Sequence, residues 1–214
     1  MKLFRFQIAA LVLLTIVAGC GIVRESPAPI RTYLIESPRG KSVGSAPLSS
    51  ESTSLPSLLI GVPEPAPGFE SSRMAYVQVP HELNYFATSQ WVEAPARMLM
   101  PLLVQNLEES GMWQSVTPMP TSIRGDYRLN LTQVVVVQEF LQQPSRMRLA
   151  WRGQLMNLKD RQVIGARKFE REEETSSEDA YGGVLATQFA VSRLLTDLQE
   201  WLAECVEEGS PAHC

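Results

Sequence analysis

The 214-residue chain is poor in the residues and motifs that common enzymes use. It has only two histidines, His81 and His213, and neither lies near a G-x-S-x-G nucleophile motif. A phosphate-binding P-loop, a dinucleotide-binding glycine fingerprint, an H-E-x-x-H motif and a paired C-x-x-C are all missing from the sequence. These absences argue against an enzyme, and we predict no catalytic residues, no cofactor and no metal site.

Positive charge and long apolar runs are also scarce. The sequence has 19 Lys and Arg against 23 Asp and Glu, which gives a net charge of −4, and a mildly acidic chain is a poor general binder of nucleic acid. The longest apolar run, residues 8–18, falls short of the roughly 20 residues that span a bilayer. The whole sequence is 44% hydrophobic, which suits one exported globular domain.

The N-terminus has the pattern of a bacterial lipoprotein signal peptide. Lys2 and Arg5 precede the apolar run, which ends in Val17-Ala18-Gly19-Cys20, an aliphatic residue and two small residues before a cysteine. We therefore predict a signal peptide at 1–19 and lipidation at Cys20. The alternative is an ordinary cleaved signal peptide that leaves a cysteine first by chance.

Composition divides the mature chain into four parts. Residues 20–29 form a lipidated tether, and residues 30–206 form the predicted domain. Within the domain, residues 37–57 are rich in Ser, Pro and Gly and have few large apolar residues, which indicates a flexible linker. Residues 207–214 are predicted to be a frayed tail.

Two cysteines remain after lipidation of Cys20. In an oxidising compartment Cys205 and Cys214 can form a disulfide that closes a short loop, or they can stay as two free thiols. Spacing alone does not decide between these alternatives. A metal site made of both cysteines and His213 is the weakest interpretation, because a flexible terminus does not preform a site.

The hydrophobic pattern predicts a two-layer α+β domain. A short strand candidate at 30–36 precedes the linker. After the linker the order is βββ-α-ββββ-α, with strands at 58–62, 74–79, 82–88, 113–117, 126–140, 146–157 and 162–172 and helices at 91–111 and 176–204. Strict alternation near residue 130 predicts a mainly antiparallel sheet with one wet face, packed by two long helices.

Two details of this pattern are testable in a structure. Residues 134–137 are apolar at every position, so this part of its strand is either covered on both sides or bulged. Ser176 or Ser177 is the expected N-cap of the second helix.

Four arginines are the main candidate contact residues. Arg146, Arg148 and Arg152 fall on the polar face of one predicted strand, and Arg128 falls on the polar face of another. Such a basic stripe could contact lipid headgroups or an acidic partner. The simpler interpretation, which we favour at this stage, is a charged face that keeps the sheet soluble. The acidic run of Glu170 and residues 172–174 is predicted to be a solvated edge.

Several segments together resemble the auxiliary lipoproteins of ABC-type transport systems, including the paraquat-inducible protein C group that accompanies mammalian-cell-entry (MCE) domain proteins. The resemblance is carried by the lipobox at 17–20, by Tyr33-Leu34, and by segments 59–63, 74–76, 84–91, 93–99 and 194–202. Segment 64–72 is richer in proline than the family pattern. The family's Asp-Arg-Pro-Gln type turn is absent, and the Cys205 and Cys214 pair is not a family feature.

The resemblance implies a non-enzymatic periplasmic lipoprotein that helps to link the inner and outer membranes in the transport of lipids or hydrophobic compounds. Its implied partners are an MCE-domain protein and ABC or permease components, and it implies a homo-oligomer. Gly21 is not Asp, which implies anchoring at the periplasmic face of the outer membrane. A second hypothesis is a stand-alone envelope-assembly factor or binder of a small hydrophobic ligand, with a cavity between helices and sheet.

Overall fold

A computed structural model describes residues 28–36 and 55–208. The predicted signal peptide, Cys20, and most of the tether and of the linker lie outside the described residues, as do residues 209–214. Eight strands and two helices are present in the described part. The strands are β1 (Arg31–Tyr33), β2 (Ser57–Ile60), β3 (Arg73–Val77), β4 (Asn84–Trp91), β5 (Ser115–Pro118), β6 (Tyr127–Glu139), β7 (Arg146–Asn157) and β8 (Gln162–Glu174). The helices are α1 (Pro95–Glu109) and α2 (Ala180–Glu208).

The predicted fold class is confirmed, with small differences in the elements. The strand candidate at the start of the domain is β1, so four strands precede α1. Trp91 ends β4 instead of starting the helix, and Pro95 occupies the first helical turn, where a missing N–H costs nothing. Helix α2 continues two residues into the predicted tail. Of the helices in the described part, neither is both long and apolar enough to cross a membrane.

Strand β6 is the centre of the sheet. On one side it pairs antiparallel with β7 along its whole length, and β7 pairs antiparallel with β8, which is the predicted meander. On the other side two short strands pair with it in parallel, β2 at its start and β3 at its end. Strand β5 extends the sheet from β2, while β4 and then β1 extend it from β3. The long pairs are therefore antiparallel, β2 and β3 join β6 in parallel, and β4 joins β3 antiparallel.

A bulge in β6 explains its run of four valines. The register shifts between Thr132 and Val135, and Gln133 adopts a positive φ of 56°. Between β2 and β3 the chain stays against this edge, because the Val134 amide donates to the Glu64 carbonyl at 3.0 Å and the Ala66 amide donates to the Val134 carbonyl at 2.9 Å. The run is thus both bulged and flanked, in agreement with the sequence prediction.

Both helices pack on one face of the sheet, which we call the inner face. Trp151 of β7, Phe169 of β8 and Trp201 of α2 form a chain of rings, with centroids 6.4 and 5.5 Å apart. A Cβ on Gly153 would lie 3.0 Å from the Phe169 ring, so glycine lets these rings fill the space between α2 and the sheet. Helix α1 buries Leu99, Leu103, Leu107 and their neighbours beside this cluster.

The start of α2 is fixed by Asp179, not by a serine. The Asp179 Oδ1 atom accepts hydrogen bonds from the Gly182 amide at 2.8 Å and from the Ser177 hydroxyl at 2.6 Å. The Ser177 hydroxyl and the backbone donors hold the pKa of Asp179 below its usual value. The predicted cap at Ser176 or Ser177 is wrong, because Ser177 supports the capping carboxylate instead of capping the helix itself.

Candidate functional site

All four candidate arginines lie on the outer face of the sheet, opposite the helices. Cross-strand pairing sets Arg146 against Glu139, Arg148 against Val137 and Arg152 against Thr132, while Arg128 stands opposite Met156. The bulge in β6 divides this outer face into two parts. We call the part that holds Arg146 and Arg148 the upper half and the part that holds Arg128 and Arg152 the lower half.

In the upper half each arginine is bound by two carboxylates. The Arg148 Nε atom donates to Glu139 Oε1 at 2.6 Å, and its Nη1 atom donates to Glu170 at 3.4 Å. Both Arg148 and Glu139 are largely shielded, with side-chain exposures of 29% and 23%. Arg146 is bound to Glu172 at 3.4 Å and to Glu174 at 3.2 Å. The guanidinium groups of the upper half are therefore matched by carboxylates within the domain.

The acids of β8 lie on an edge strand, where Glu170, Glu172 and Glu174 are exposed, and these three also supply carboxylates to the upper half. Glu170 also accepts a bond from Lys168 at 2.5 Å. This bond, together with the charges of Lys168 and Arg148, holds the pKa of Glu170 below its usual value. Glu173 points to the inner face and binds Arg193 of α2 at 2.9 Å. The sheet register, which alternates these acids between the two faces, is the signal that composition alone could not supply.

In the lower half the arginines have no carboxylate partner among the described residues. The Arg128 Nη2 atom donates to the Met156 thioether at 3.1 Å, a weak acceptor, and its buried Nε atom has no hydrogen-bond partner. Arg152 is exposed and makes no ion pair with a described residue. Directly opposite it in the sheet stands another cation, Lys168. The lower half thus has an excess of positive charge.

A groove of about 470 Å³ lies beside Arg128 in the lower half. One wall is apolar and comes from Val62, Met119 and Pro120, while Asn130 and Gln154 contribute amide groups and Glu64 contributes one carboxylate. A Cβ on Gly61 would collide with the Asn130 amide oxygen, so glycine lets the backbone lie close to the sheet here. Arg128 and the amides beside an apolar wall, with Arg152 in the same half, suit a polypeptide segment with acidic side chains. The sequence alone does not reveal the groove, because the walls of the groove come from segments that are far from the arginines along the chain.

The other predicted site residues fall elsewhere or outside the described part. His81 lies in the β3–β4 turn with a positive φ of 69°. Cys205 is buried at the end of α2 and is disulfide-bonded. Its predicted partner Cys214 and the predicted lipidation site Cys20 both lie outside the described residues, so these two assignments remain predictions. Residues 28–36 and 55–208 contain no cluster of three or more potential metal ligands.

Solved structures share this fold at low sequence identity. Protein XCC0632 from Xanthomonas campestris, assigned to the family-model DUF330, superposes with a TM-score of 0.65 at 23% identity, covering 72% of this chain and 87% of that chain. An uncharacterised protein superposes with a TM-score of 0.60 at 12% identity, covering 81% of this chain and 99% of that chain. At these identities the likeness shows the fold alone.

A more distant match is the PelC dodecamer from Paraburkholderia phytofirmans. Its TM-score is 0.40 at 10% identity, covering 69% of this chain and 92% of that chain, and a likeness this low carries no inference about assembly. No curated protein sequence matches the chain.

A match to a family model is stronger evidence for the family of this chain than the structural likenesses are. The model described as "ABC-type transport auxiliary lipoprotein component" matches residues 41–199, which is well over half of the sequence. The match spans the end of the linker, both halves of the outer face and most of α2. This chain belongs to the family of ABC-type transport auxiliary lipoprotein components.

Proposed function

We propose that this protein is a non-enzymatic lipoprotein, anchored through Cys20 at the periplasmic face of the outer membrane, that serves an ABC/MCE-type transport system for lipids or other hydrophobic compounds. Its lower half binds an acidic segment of the MCE-domain protein of that system. The observation that carries this proposal is the pair of arginines in the lower half, which lack carboxylate partners beside a groove.

The contrast between the two halves supports a binding role for the lower one. A guanidinium group that is matched by carboxylates has little left to offer a partner, as with Arg148. Arg128 instead has no carboxylate partner among the described residues. Its buried Nε donor, like that of Arg146, also lacks a hydrogen-bond partner, and such a group gains when a ligand brings an acceptor. Arg152 adds a fully charged neighbour that can attract an acidic partner over a longer range.

The packing of the interior favours this role over a stand-alone binder of a small hydrophobic ligand. Such a binder needs an apolar cavity, and the natural place is between α2 and the sheet. Trp151, Phe169 and Trp201 fill that space, and Leu194 and Leu198 beside them are fully buried. The groove of the lower half is open to solvent and partly polar, which suits a protein segment better than an acyl chain.

A binding measurement with charge-reversed variants tests the proposal. The acylated protein, held in detergent micelles, is titrated with the MCE-domain protein of the same system at low and at high salt. We expect the double variant Arg128→Glu, Arg152→Glu to bind at least about tenfold more weakly at low salt, because two attractive charges become repulsive. The loss should shrink at high salt, where exposed charges are screened.

Arg97→Glu is the matched control, because Arg97 is an exposed arginine on α1, away from the outer face. It should bind like the wild-type protein. If the wild-type protein does not bind the MCE-domain protein, the assignment of this partner is wrong. If it binds, but the double variant binds equally well, the lower half is not the contact surface.

A further inference from the structure

One end of the sheet carries apolar residues that are only partly buried or exposed and that do not belong to the outer face. This is the end at which the chain arrives from Cys20. Strand β1 runs parallel to β4 and pairs with its last three residues, so the chain before β1 lies on the side of the start of β4. Ala28 and Pro29 indeed line a depression of about 350 Å³ together with Phe86 and Thr88 of β4. We call this end of the domain the apical end.

Three other features meet at the apical end. The β3–β4 turn and the β6–β7 loop both lie there, because Val77 at the end of β3 pairs with Glu139 at the end of β6. The start of α2 is close as well, since the Gln138 side chain donates to the Asp179 carbonyl at 3.2 Å. Two loops and one helix terminus therefore surround the point where the tether joins the domain.

The apical end combines a cluster of half-buried rings with exposed aliphatic side chains. Tyr76, Phe86 and Phe140 form a half-buried cluster of rings, with centroids 4.8, 6.0 and 6.4 Å apart. The adjoining turn and loop each expose an aliphatic side chain, Val79 at 53% and Leu141 at 51%. Large exposed aliphatic groups beside a cluster of rings are typical of surfaces that contact a partner or a membrane.

We propose that the apical end rests on the surface of a phospholipid bilayer, with Val79 and Leu141 inserted among the lipids and the aromatic cluster at headgroup level. The inference rests on the proposed lipid anchor at Cys20. Seven residues separate Cys20 from Ala28, so an extended tether spans at most about 28 Å, and the apical end is the part of the domain nearest the membrane. Tyrosine is well suited to this depth because its ring is apolar and its hydroxyl is polar.

The charges of the apical end point to zwitterionic lipid. Its charged side chains are mixed and show no basic excess: Arg31, Arg146, Glu82, Glu139, Glu174, Glu178 and Asp179. Binding to an anionic surface would need a cluster of lysines or arginines. Insertion of apolar side chains requires no such charge, so apolar insertion is the mode of contact.

This contact would also set the orientation of the domain. Strand β6 runs from Arg128 in the lower half to Glu139 at the apical end, a distance of roughly 35 Å for an extended strand. With the apical end on the lipid, the groove of the lower half is held far above the membrane, where an acidic segment of a partner can reach it. A tether alone would leave the domain free to tumble.

Hydrogen exchange on liposomes tests the inference. The acylated protein is bound to liposomes of phosphatidylethanolamine and phosphatidylcholine, and amide exchange is compared with that of the same protein in detergent micelles. We expect exchange in residues 78–83 and 140–145 to be at least about tenfold slower on liposomes. The double variant Val79→Asp, Leu141→Asp should lose this protection, because a buried carboxylate is costly.

Ile123→Asp is the matched control, because Ile123 is equally exposed, at 59%, and lies shortly before the start of β6, at the other end of that strand. It should keep the protection of both apical segments. A thermal unfolding scan of each variant shows that the fold is intact. If the apical segments exchange equally fast on liposomes and in micelles while mass spectrometry finds Cys20 acylated, the inference is overturned and the anchor stands.

A second arm separates the apical contact from the anchor. The full chain with Cys20→Ser, which cannot be acylated, is sedimented with the same liposomes. Weak binding that the double variant abolishes and Ile123→Asp keeps supports the apical contact even if Cys20 proves not to be acylated. If the double variant leaves liposome binding and exchange unchanged but abolishes binding of the MCE-domain protein, the apical end is a protein interface and the inference is wrong.

Discussion

The two halves of the outer face begin from the same sequence pattern and reach opposite electrostatic states. Each half has two arginines on long strands, at positions that alternate with buried residues. In the upper half four carboxylates surround the two guanidinium groups, and Glu139 lies only 2.6 Å from Arg148. In the lower half Arg128 contacts a methionine sulfur and Arg152 faces a lysine across the sheet. The comparison shows that the residues on the neighbouring strands determine whether an arginine is bound within the domain or is available to bind a partner.

The cause of the difference is the sequence of β8. From Glu170 to Glu174 every residue of β8 that lies on the outer face is an acid, and these acids pair with the upper part of β7. Below Glu170 the outer-face positions change to Lys168 and Ala166, opposite Arg152 and Gln154. The change from an acidic to a basic residue on the outer face of β8, between Glu170 and Lys168, therefore marks the boundary between the two halves.

The largest expected effect is on the stability of the upper half. Arg148→Ala removes the cation that Glu139 and Glu170 share and leaves Glu139, with an exposure of 23%, without its cation. A partly buried charge without a partner is costly, so we expect the free energy of unfolding to fall by about 1–3 kcal/mol. Urea unfolding of the mature protein measures this change, and binding of the MCE-domain protein should stay as in the wild type.

Arg97→Ala is the control for this prediction, because it breaks an exposed ion pair within one helix. Its loss should be no more than about 0.5 kcal/mol. Equal losses for the two variants would mean that the upper half is no more structural than an ordinary surface pair, and the distinction between the halves would fail.

The sequence predicted the elements of the fold well, for physical reasons that are local. Alternation of apolar residues in β6 and β7 and the three- and four-residue spacing in α1 and α2 reflect burial of one face, and burial is encoded at each position. The bulge was one of two alternatives that the sequence offered, because four successive valines place apolar side chains on both faces of a strand. What alternation cannot show is which strands become neighbours. The parallel pairing of β2 and β3 with β6 depends on contacts between residues far apart in the chain.

The candidate site was predictable only in part, for the same reason. The polar faces of β6 and β7 identified the four arginines, since each alternates with buried residues in its own strand. The partners of Arg146 and Arg148 required the register between β7 and β8, which no single strand encodes. The prediction of the N-cap of α2 failed at the level of single side chains. Ser177 and Asp179 are both good capping residues, and only the geometry of the first turn selects Asp179.

A smaller effect is expected from reversing the charge that faces Lys168. Arg152→Glu changes a like-charged cross-strand pair into an oppositely charged one, which favours the fold by about 0.2–1 kcal/mol. Binding of the MCE-domain protein should weaken at the same time, so stability and binding should change in opposite directions. Urea unfolding and titration of the same preparation measure both. A variant that lost stability together with binding would show that Arg152 supports the fold, which would end the contrast with the upper half.

The smallest expected effect is a pH dependence confined to the upper half. The pKa of Glu170 is lowered, first by the bond from Lys168, so its carboxylate stabilises the fold above the pKa of the unfolded chain. This stabilisation is lost as the pH falls through the lower pKa of the folded state. We therefore expect Glu170→Gln to be less stable than the wild type by about 0.5 kcal/mol at pH 7, and the difference to disappear as the pH falls below the lowered pKa of the folded state. Because Glu170 is partly exposed, about 1 M salt should also shrink the difference at pH 7. A difference that persisted unchanged at low pH would have to come from packing of the side chain, and the carboxylates of β8 would then not be what neutralises the upper half.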